Sequence, residues 1–496
     1  MTSLTAAWRA SRAEDHVRYV FGLLLIALWL VVLVMNREVL LGEPDLQWHI
    51  KTGEWIWQNA AVPTADPFSF TFAGEPWIAK EWLSQLLFFW TYAAGGWNGV
   101  MLLSLLALAA GAGALYGALS RDLAPMNAAL ACILGLLLAS ASFTVRPHLL
   151  TLALFIIWTH QLFAASRSQR APHFGLLLLI VLWANLHAAF TIGFVIAFFA
   201  FLDFIERTKL ERKDVILKWI AFLGLCPLVT MIHPYLWDAI LATWTVVGPN
   251  EAVLLVREWQ PFNAQEQVAH HAVLLGLVFL ALVTGFRLGI AKALLIIPLL
   301  HLYLTHIRYA FFVFPILVIL VAPDIAQQFP RASAASWRSQ LRDPVEKAMS
   351  AWFRPLAGML AGALILLAVL QGLVLPTAPG EKVVITRAIA YAKANNISGN
   401  VMNAYNLGGA LIFSGIPSFI DGRTDQLFLG DFVKRFAHGP KQPDELARAL
   451  QDYNIKWTVF TPTDPRAAML DRIPGWRLAY RDEHAVIHRR GEEPRG

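Results

Sequence analysis

Charge is what this chain has least of. Only 15% of its 496 residues are Asp, Glu, Lys or Arg, against 57% hydrophobic, where soluble domains average about a quarter charged. That deficit excludes a soluble globular protein and points to a polytopic α-helical membrane protein. Cysteine is nearly absent: Cys132 and Cys226 both lie in apolar runs with no C-x-x-C spacing. A disulfide framework and a cysteine metal site are thereby excluded, leaving two small core hydrophobes. Internal repeats and low-complexity tracts are missing too. The net charge of +6 does not signal a nucleic-acid partner, because Lys and Arg come in short clusters between apolar runs rather than on one face.

Apolar runs of membrane length are what the chain does have. A span takes about 20 apolar residues, with about 17 sufficing, and about eleven segments qualify: 19–36, 99–120, 123–142, 148–165, 174–187, 188–205, 215–232, 270–286, 290–305, 306–323 and 355–375. Arg9, Arg12 and Arg18 precede the first; no small-residue cleavage site follows it, so it reads as a retained span rather than a signal peptide. With the N-terminus cytoplasmic, alternate connections carry Arg121, Arg167 with Arg170, the 206–218 cluster, Arg287 with Lys292, and the 331–354 linker. This is the bias that the positive-inside rule requires. The pairs 174–187/188–205 and 290–305/306–323 abut with almost no loop, and read either as short spans or as broken, re-entrant helices.

From Pro376 the composition turns to that of a soluble domain, with Gly-Asn, Gly-Gly, Asp-Gly and Pro turns. Helices over Lys382–Asn395 and Asp444–Tyr453 are expected there. Strands are expected over Asn400–Ala404, Ser418–Asp421, Trp457–Thr461 and Leu478–His488, making a small α/β domain on the outer side. The division is therefore 1–375 in the membrane, with a first outer loop at 37–98, and 376–496 outside it.

That loop is where the polar residues gather. Pro44 and Asp45 open a helix over Asp45–Asn59 in which Asp45 and His49 share a face, while Trp48 and Trp55 lie on another, suited to the headgroup layer. A carboxylate beside an imidazole serves as a general base or holds a divalent cation; equally, Asp45 caps the helix and His49 bonds to it. Asp66–Trp77 alternates Phe68, Phe70 and Phe72 with polar residues and reads as a hairpin on the membrane surface. Lys80–Ala94 reads as an amphipathic interfacial helix ended by Gly95 and Gly96. Seven of the 19 Trp residues lie between Trp48 and Trp97, which an aromatic belt at the interface explains for most of them.

The same face receives Arg146 with His148, Asn185 with His187, His233, Glu258, and His306 with Arg308. Each singly fits snorkelling or the satisfaction of a broken helix, but as a set they favour a polar site, since ionisable groups at membrane depth are costly unless paired or used. Arg146 and Arg308 are candidates for a phosphate, which a guanidinium binds in bidentate fashion. Asp421, Arg423 and Asp425 read either as contacts to an acceptor glycan or as a turn held by local salt bridges.

Asp45-x-x-Trp48-His49, Gly53, Pro63-x-x-Asp66-Pro67-Phe68-Ser69, Gly74-x-Pro76-Trp77, Glu81-Trp82-Leu83, Trp183-x-Asn185-x-His187 and Asp421-Gly422-Arg423-x-Asp425 resemble a bacterial branch of the GT-C-fold membrane glycosyltransferases. These depend on polyprenyl-phosphate sugars and include the protein O-mannosyltransferases and the aminoarabinose transferase of lipid A. The resemblance spans nearly the whole chain. It implies an inverting transfer of a sugar from a polyprenyl-phosphate donor to an envelope glycan, lipid or protein, at the outer face of a bacterial cytoplasmic membrane. It places the catalytic acid at Asp45. The polar set of this face adds His49 and Glu81 as catalytic candidates, Arg146, His148, Asn185, His187, His233, His306 and Arg308 as candidates for donor phosphate or lipid binding, and Asp66, Trp77, Glu258, Asp421, Arg423 and Asp425 as candidate acceptor contacts. A divalent Mg or Mn ion at Asp45 and His49 is left open, because Glu43-Pro44-Asp45 stands where the family carries paired acids. A lipid flippase and a glycan-binding scaffold are the rival classes; polar groups gathered at one face, with no repeated halves, disfavour transport.

The loop charges set a topology that reporter fusions can check. Fusions at Ala334 and Gly491 are expected to report opposite sides of the membrane, and matching signals would put the span count wrong by an odd number.

Overall fold

The computed structural model describes residues 20–247, 259–336, 377–436, 439–440 and 442–491, with isolated positions between 358 and 366. Every expected span up to 306–323 contains a helix. Trp82–Leu119, Pro125–Ser142, Pro147–Arg167 and Ile307–Gln328 are long and apolar enough to cross a membrane alone; Val20–Met35, Phe174–Leu186, Val268–Thr284 and Ile290–Thr305 are shorter apolar helices. The chain is a polytopic membrane protein. The last expected span, 355–375, falls almost wholly outside the described residues.

Two helices carry the first loop: α1 (Asp45–Asn59) and α2 (Trp82–Leu119). The expected interfacial helix and the span after it are one element, bent at Gly95 and Gly96; Gly96 has φ 57° and ψ −146°, a conformation open to glycine alone. Gly53 of α1 touches the Gln85 backbone, with no room for a Cβ, so the two helices pack at backbone distance. Exposed Trp57 and Trp90 meet edge to face at 5.6 Å on the outside of this pair, as interface anchors would.

Both abutting pairs are hairpins of two antiparallel helices joined by a turn of a few residues, the short-span alternative. Leu177–Leu186 ends at an extended His187 and the chain restarts at Phe190–Thr208, with Gly193 packed back against Ile180. Ile290–Thr305 ends at an extended His306, followed by one 3₁₀ turn, Ile307–Tyr309, and beyond it Asp324 pairs with Lys292 and Gln328 bonds to Arg287. The backbone groups freed at each turn are satisfied within the protein. Here His187 Nδ1 accepts the Ala189 N–H at 3.3 Å, and the Ile307 N–H reaches the Gln260 carbonyl at 3.1 Å.

The C-terminal domain carries four strands, β1 (Val401–Asn403), β2 (Trp457–Phe460), β3 (Trp476–Arg481) and β4 (Val486–Arg490), in one sheet of order β1-β2-β4-β3. β1 and β2 are parallel, and the remaining pairs are antiparallel. Three expectations need correction. The single strand at 478–488 is a hairpin, turned where Asp482 accepts the His484 and Ala485 N–H groups at 2.8 and 2.7 Å. Lys382–Asn395 is two helices, Glu381–Val384 and Thr386–Ala394, split at Ile385 with φ 41°. Ser418–Asp421 joins no sheet; it makes a parallel bridge to the first loop, Ser69 with Ser418.

That bridge locates the second hydrophobic core. Trp48, Trp77, Ala79 and Tyr235 share one cluster with Phe419, Phe428, Phe436 and Trp457 of the C-terminal domain. Phe72 meets Phe428 and Phe432 at 4.9 and 5.0 Å, and Phe70 meets Phe419 at 6.0 Å. The aromatic alternation of 66–77 therefore faces the C-terminal domain, not the membrane surface, because Phe419, Phe428 and Phe432 offer it an apolar bed. Trp48 is likewise buried rather than in the headgroup layer.

Arg423 ties the two parts together. Its guanidinium donates to Asp421 through Nε (2.7 Å) and Nη2 (2.8 Å) and to Asp66 through Nη1. All three side chains have no solvent exposure. Removing one partner of a buried ion cluster leaves an uncompensated charge, at a cost of about 3–5 kcal/mol. Arg423→Ala is expected to lose that much, read as protease sensitivity of the chain after residue 377, whereas Arg423→Lys is expected to lose less. Wild-type resistance in the alanine variant would refute the tie.

Candidate active site

α1 begins at the membrane face with Pro44 at its N-cap and no side-chain cap, so Asp45 is not a capping residue. Its N–H is met by Glu43 Oε1 at 3.3 Å, which leaves the Asp45 carboxylate turned outward. Oδ1 accepts the Trp48 indole N–H at 3.0 Å and Oδ2 accepts Arg146 Nη2 at 2.9 Å. Arg146 Nη2 also donates to buried Glu43, at 2.6 Å. This carboxylate lines a cavity of about 550 Å³, within the roughly 300–1,000 Å³ of small-molecule sites.

Glu81, immediately before α2, faces the same space. His187 Nε2 stands 3.4 Å from its Oε1 and His49 Nε2 3.9 Å from its Oε2. Because His187 Nδ1 accepts a backbone N–H, the neutral ring carries its proton on Nε2 and turns it toward Glu81. His49 stacks on Trp48 with ring centres 3.7 Å apart, and its Nδ1 lies 3.2 Å from the Gln85 amide. Burial, then the charge of Arg146, holds His49 well below the usual imidazole range, so it is neutral. Burial pushes the Glu81 carboxyl up to about 7, against the pull of Lys80 and with a further push from Asp425.

Arg308, in the 3₁₀ turn of the second hairpin, lies over the Trp259 ring at 4.3 Å. Among the described residues no carboxylate stands within ion-pair distance of it. Lys80 lines the cavity too and pairs with Asp425 of the C-terminal domain. Away from these charges, the cavity runs between bundle helices as an apolar arm lined by Ile192, Phe194, Val195, Pro227, Trp237 and Ile240.

The expected residues divide cleanly. Asp45, His49, Glu81, Arg146, His148, His187, Arg308, Trp77 and Asp425 all line the cavity. Three expected donor ligands stand behind it. Asn185 accepts the Trp82 indole N–H at 2.8 Å and donates to the Ile232 carbonyl. His233 is bound to the Lys80 carbonyl at 3.4 Å, and His306 lies beside Thr305 at 3.1 Å. These side chains brace the wall. Asp66, Asp421 and Arg423 are sealed in the ion cluster without solvent exposure, as in a turn held by salt bridges, though one of these bridges reaches the first loop rather than being local. Glu258 lies outside the described residues.

Sequence reasoning missed Lys80, Gln85, Trp259, Tyr405, Thr424 and Gln426, all of which line the cavity. Lys80 was findable beside Glu81 in an otherwise apolar stretch. Tyr405 and Thr424 carried no signal, since nothing in a soluble domain's sequence says that it roofs a membrane cavity. The metal expectation meets a poor donor set. Among the described residues no three His, Cys, Asp or Glu side chains are spaced to hold an ion, and both Asp45 oxygens already accept hydrogen bonds from Trp48 and Arg146.

At the level of sequence, no family model matches this chain and no curated protein does. Solved structures do. The oligosaccharyltransferase AglB from Archaeoglobus fulgidus, in complex with an inhibitory peptide and a dolichol-phosphate, superposes with a TM-score of 0.52 at 12% identity, covering 96% of this chain and 74% of its own. ArnT from Cupriavidus metallidurans bound to undecaprenyl phosphate gives a TM-score of 0.52 at 14% identity, covering 94% and 97%. Both are polyprenyl-phosphate-dependent glycosyltransferases, and at this identity the likeness speaks to architecture. The chain has the GT-C fold that they share.

Proposed function

We propose that this protein is an inverting membrane glycosyltransferase that moves a sugar from a polyprenyl-phosphate donor to a hydroxyl of an envelope acceptor. The observation that carries the reading is the cavity itself. One arm is apolar and lies among the bundle helices, suited to an isoprenoid chain. The other end gathers Asp45, Glu81 and Arg308, which has no carboxylate partner among the described residues, beneath the first loop and the C-terminal domain. AglB and ArnT hold dolichol-phosphate and undecaprenyl phosphate, lipids of the class that such an arm takes. A roof of loop and soluble domain suits an acceptor arriving from the aqueous side better than it suits a path across the bilayer.

In the reaction, Asp45 takes the proton of the acceptor hydroxyl as that oxygen forms its bond to the anomeric carbon. The bond from that carbon to the phosphate oxygen breaks on the opposite face, and the phosphate leaves with the electron pair. Arg308 meets the charge, and Lys80 is near enough to share it if Asp425 gives way. His49 and His187 hold Glu81, and no metal is needed for these steps.

The direct test incubates the purified protein with labelled polyprenyl-phosphate sugars and crude envelope acceptors. Labelled product is expected, and its absence with every donor would remove the transferase class. A general base contributes about 10²- to 10⁴-fold, so Asp45→Asn is expected to lower turnover by that factor with donor binding intact. A well-folded Asp45→Asn enzyme with near-normal transfer would place the base elsewhere, at Glu81 first.

Glu81 sets a pH dependence. Raised to about 7 by burial, it is neutral below that pH and an anion above it, where it adds a negative charge to a cavity that must take a phosphate. Donor affinity is therefore expected to fall as pH rises through about 7, and the fall is expected to vanish in Glu81→Gln. Equilibrium binding of labelled donor across that range decides it; a wild-type affinity flat with pH would count against this role.

A further inference from the structure

The segment 418–426 is threaded along the first loop by bonds at both ends. The Ser418 N–H donates to the Phe68 carbonyl, and the Phe70 N–H to the Ser418 carbonyl, each at 3.1 Å. Thr71 Oγ1 donates to the Phe419 carbonyl at 2.7 Å. At the far end, the Gln426 side-chain amide exchanges two hydrogen bonds of 3.0 Å with the Ile78 backbone, and Asp425 pairs with Lys80. Arg423 is fixed by Asp66 and Asp421. Gly422, between these anchors, is pressed onto the Asp45 carboxylate: a methyl group there would stand on Oδ1, far inside contact distance.

A second layer repeats the arrangement one step back. Gly409, in the helix α3 (Gly408–Phe413), lies against the Pro44 carbonyl, and Gly408 lies against Asp421 with equally little room. Gln47, two residues into α1 from Asp45, donates its amide to the Val383 carbonyl at 3.1 Å. Three glycines of the C-terminal domain thus abut Pro44, Asp45 and Asp421, and a hydrogen bond from the same domain fixes the next part of α1.

We infer that Gly422 is a positioning residue for Asp45, and that the C-terminal domain serves the reaction by seating this carboxylate rather than by binding the acceptor at Asp421 and Arg423. The inference rests on the transferase reading for its kinetic consequence but not for its geometry. Trp48 and Arg146 fix the two Asp45 oxygens from the loop and the bundle. Gly422 closes the third side, so that the carboxylate keeps one orientation while substrate enters.

Gly422→Ala tests it. Turnover is expected to drop by about 10- to 100-fold, the scale on which an ångström of misplacement acts, with donor affinity unchanged. In an Asp45→Asn background the same substitution is expected to change the residual rate by less than about twofold, since residues acting through one group are not additive. Carbodiimide labelling of Asp45, read by mass spectrometry, follows the seat without turnover and is expected to speed up in Gly422→Ala. Should the alanine variant be protease-sensitive, Arg423→Lys loosens the segment without adding atoms and is read by the same three measurements. Wild-type turnover and labelling in a folded variant would overturn the inference, as would a full additional loss on top of Asp45→Asn. Faster labelling in the variant, with no transfer by the wild type from any donor, would instead refute the transferase reading and leave the seat standing.

Discussion

One guanidinium, that of Arg423, is the interaction on which the rest depends. Taking a charge out of water costs several kcal/mol even after relaxation, and here three charged side chains are sealed at once. The cost is met only because every group is satisfied. Arg423 donates to two carboxylates; Asp66 also accepts the Phe68 N–H at 2.9 Å and the Ser69 hydroxyl. Asp421 takes the Ser418 hydroxyl at 2.7 Å and the Arg423 N–H at 3.1 Å, while Trp77 and Phe68 lie beside the cation at 4.9 and 5.3 Å. Such a cluster adds little net stability over an apolar one of the same shape. What it adds is register: the fork of an arginine meets two carboxylates in one arrangement only, so the loop and the domain cannot slide past each other. The apolar contacts of Phe70 and Phe72 with Phe419, Phe428 and Phe432 supply the attraction, and the ion cluster supplies the alignment.

The bundle contributes through two tight turns between antiparallel helices. Extended backbone at His187 and His306 lets the chain reverse there, delivering His187 from one turn and Arg308 from the other to the same cavity. Asn185 and His233 are bound to backbone carbonyls of neighbouring segments, Ile232 and Lys80. That is why they were found among the polar residues of this face yet behind its surface.

Much of this was legible in the sequence, and what was not has physical causes. The spans, the Gly95–Gly96 bend and the polar face follow from hydropathy, glycine and the cost of charge in lipid, all local properties, whereas the two abutting pairs were open between short spans and broken helices because periodicity does not say which way the chain leaves a tight turn. Asp45, Glu81, Arg146, His148, His187 and Arg308 could be picked out because ionisable residues are conspicuous in an apolar chain. The Phe68–Phe72 alternation was read correctly as amphipathic but assigned to the wrong partner. Periodicity says that a face is apolar, not whether lipid or protein covers it. Asp421 and Arg423 were ambiguous for a related reason: in a soluble segment, charges inform only once their burial is known, and burial here depends on a loop some 350 residues away in sequence.

The charges of the cavity are unevenly placed. Arg146 is shared by Glu43 and Asp45, and Lys80 is held by Asp425, so both cations are largely neutralised by carboxylates of the loop and the C-terminal domain. Arg308 stacks on Trp259 with no carboxylate to neutralise it among the described residues. The positive end of the cavity is therefore on the side of the bundle, while its fixed negative charge, Asp45, is on the side of the roof. A phosphate is drawn to the first and repelled from the second, whereas a neutral hydroxyl meets no such preference and can approach a carboxylate. Below about pH 7, where Glu81 is neutral, the field runs one way across the site. On the transferase reading proposed above, that field would orient a lipid-linked anion with its phosphate toward the bundle and its sugar toward Asp45, the arrangement in which attack and departure lie on opposite faces of the anomeric carbon.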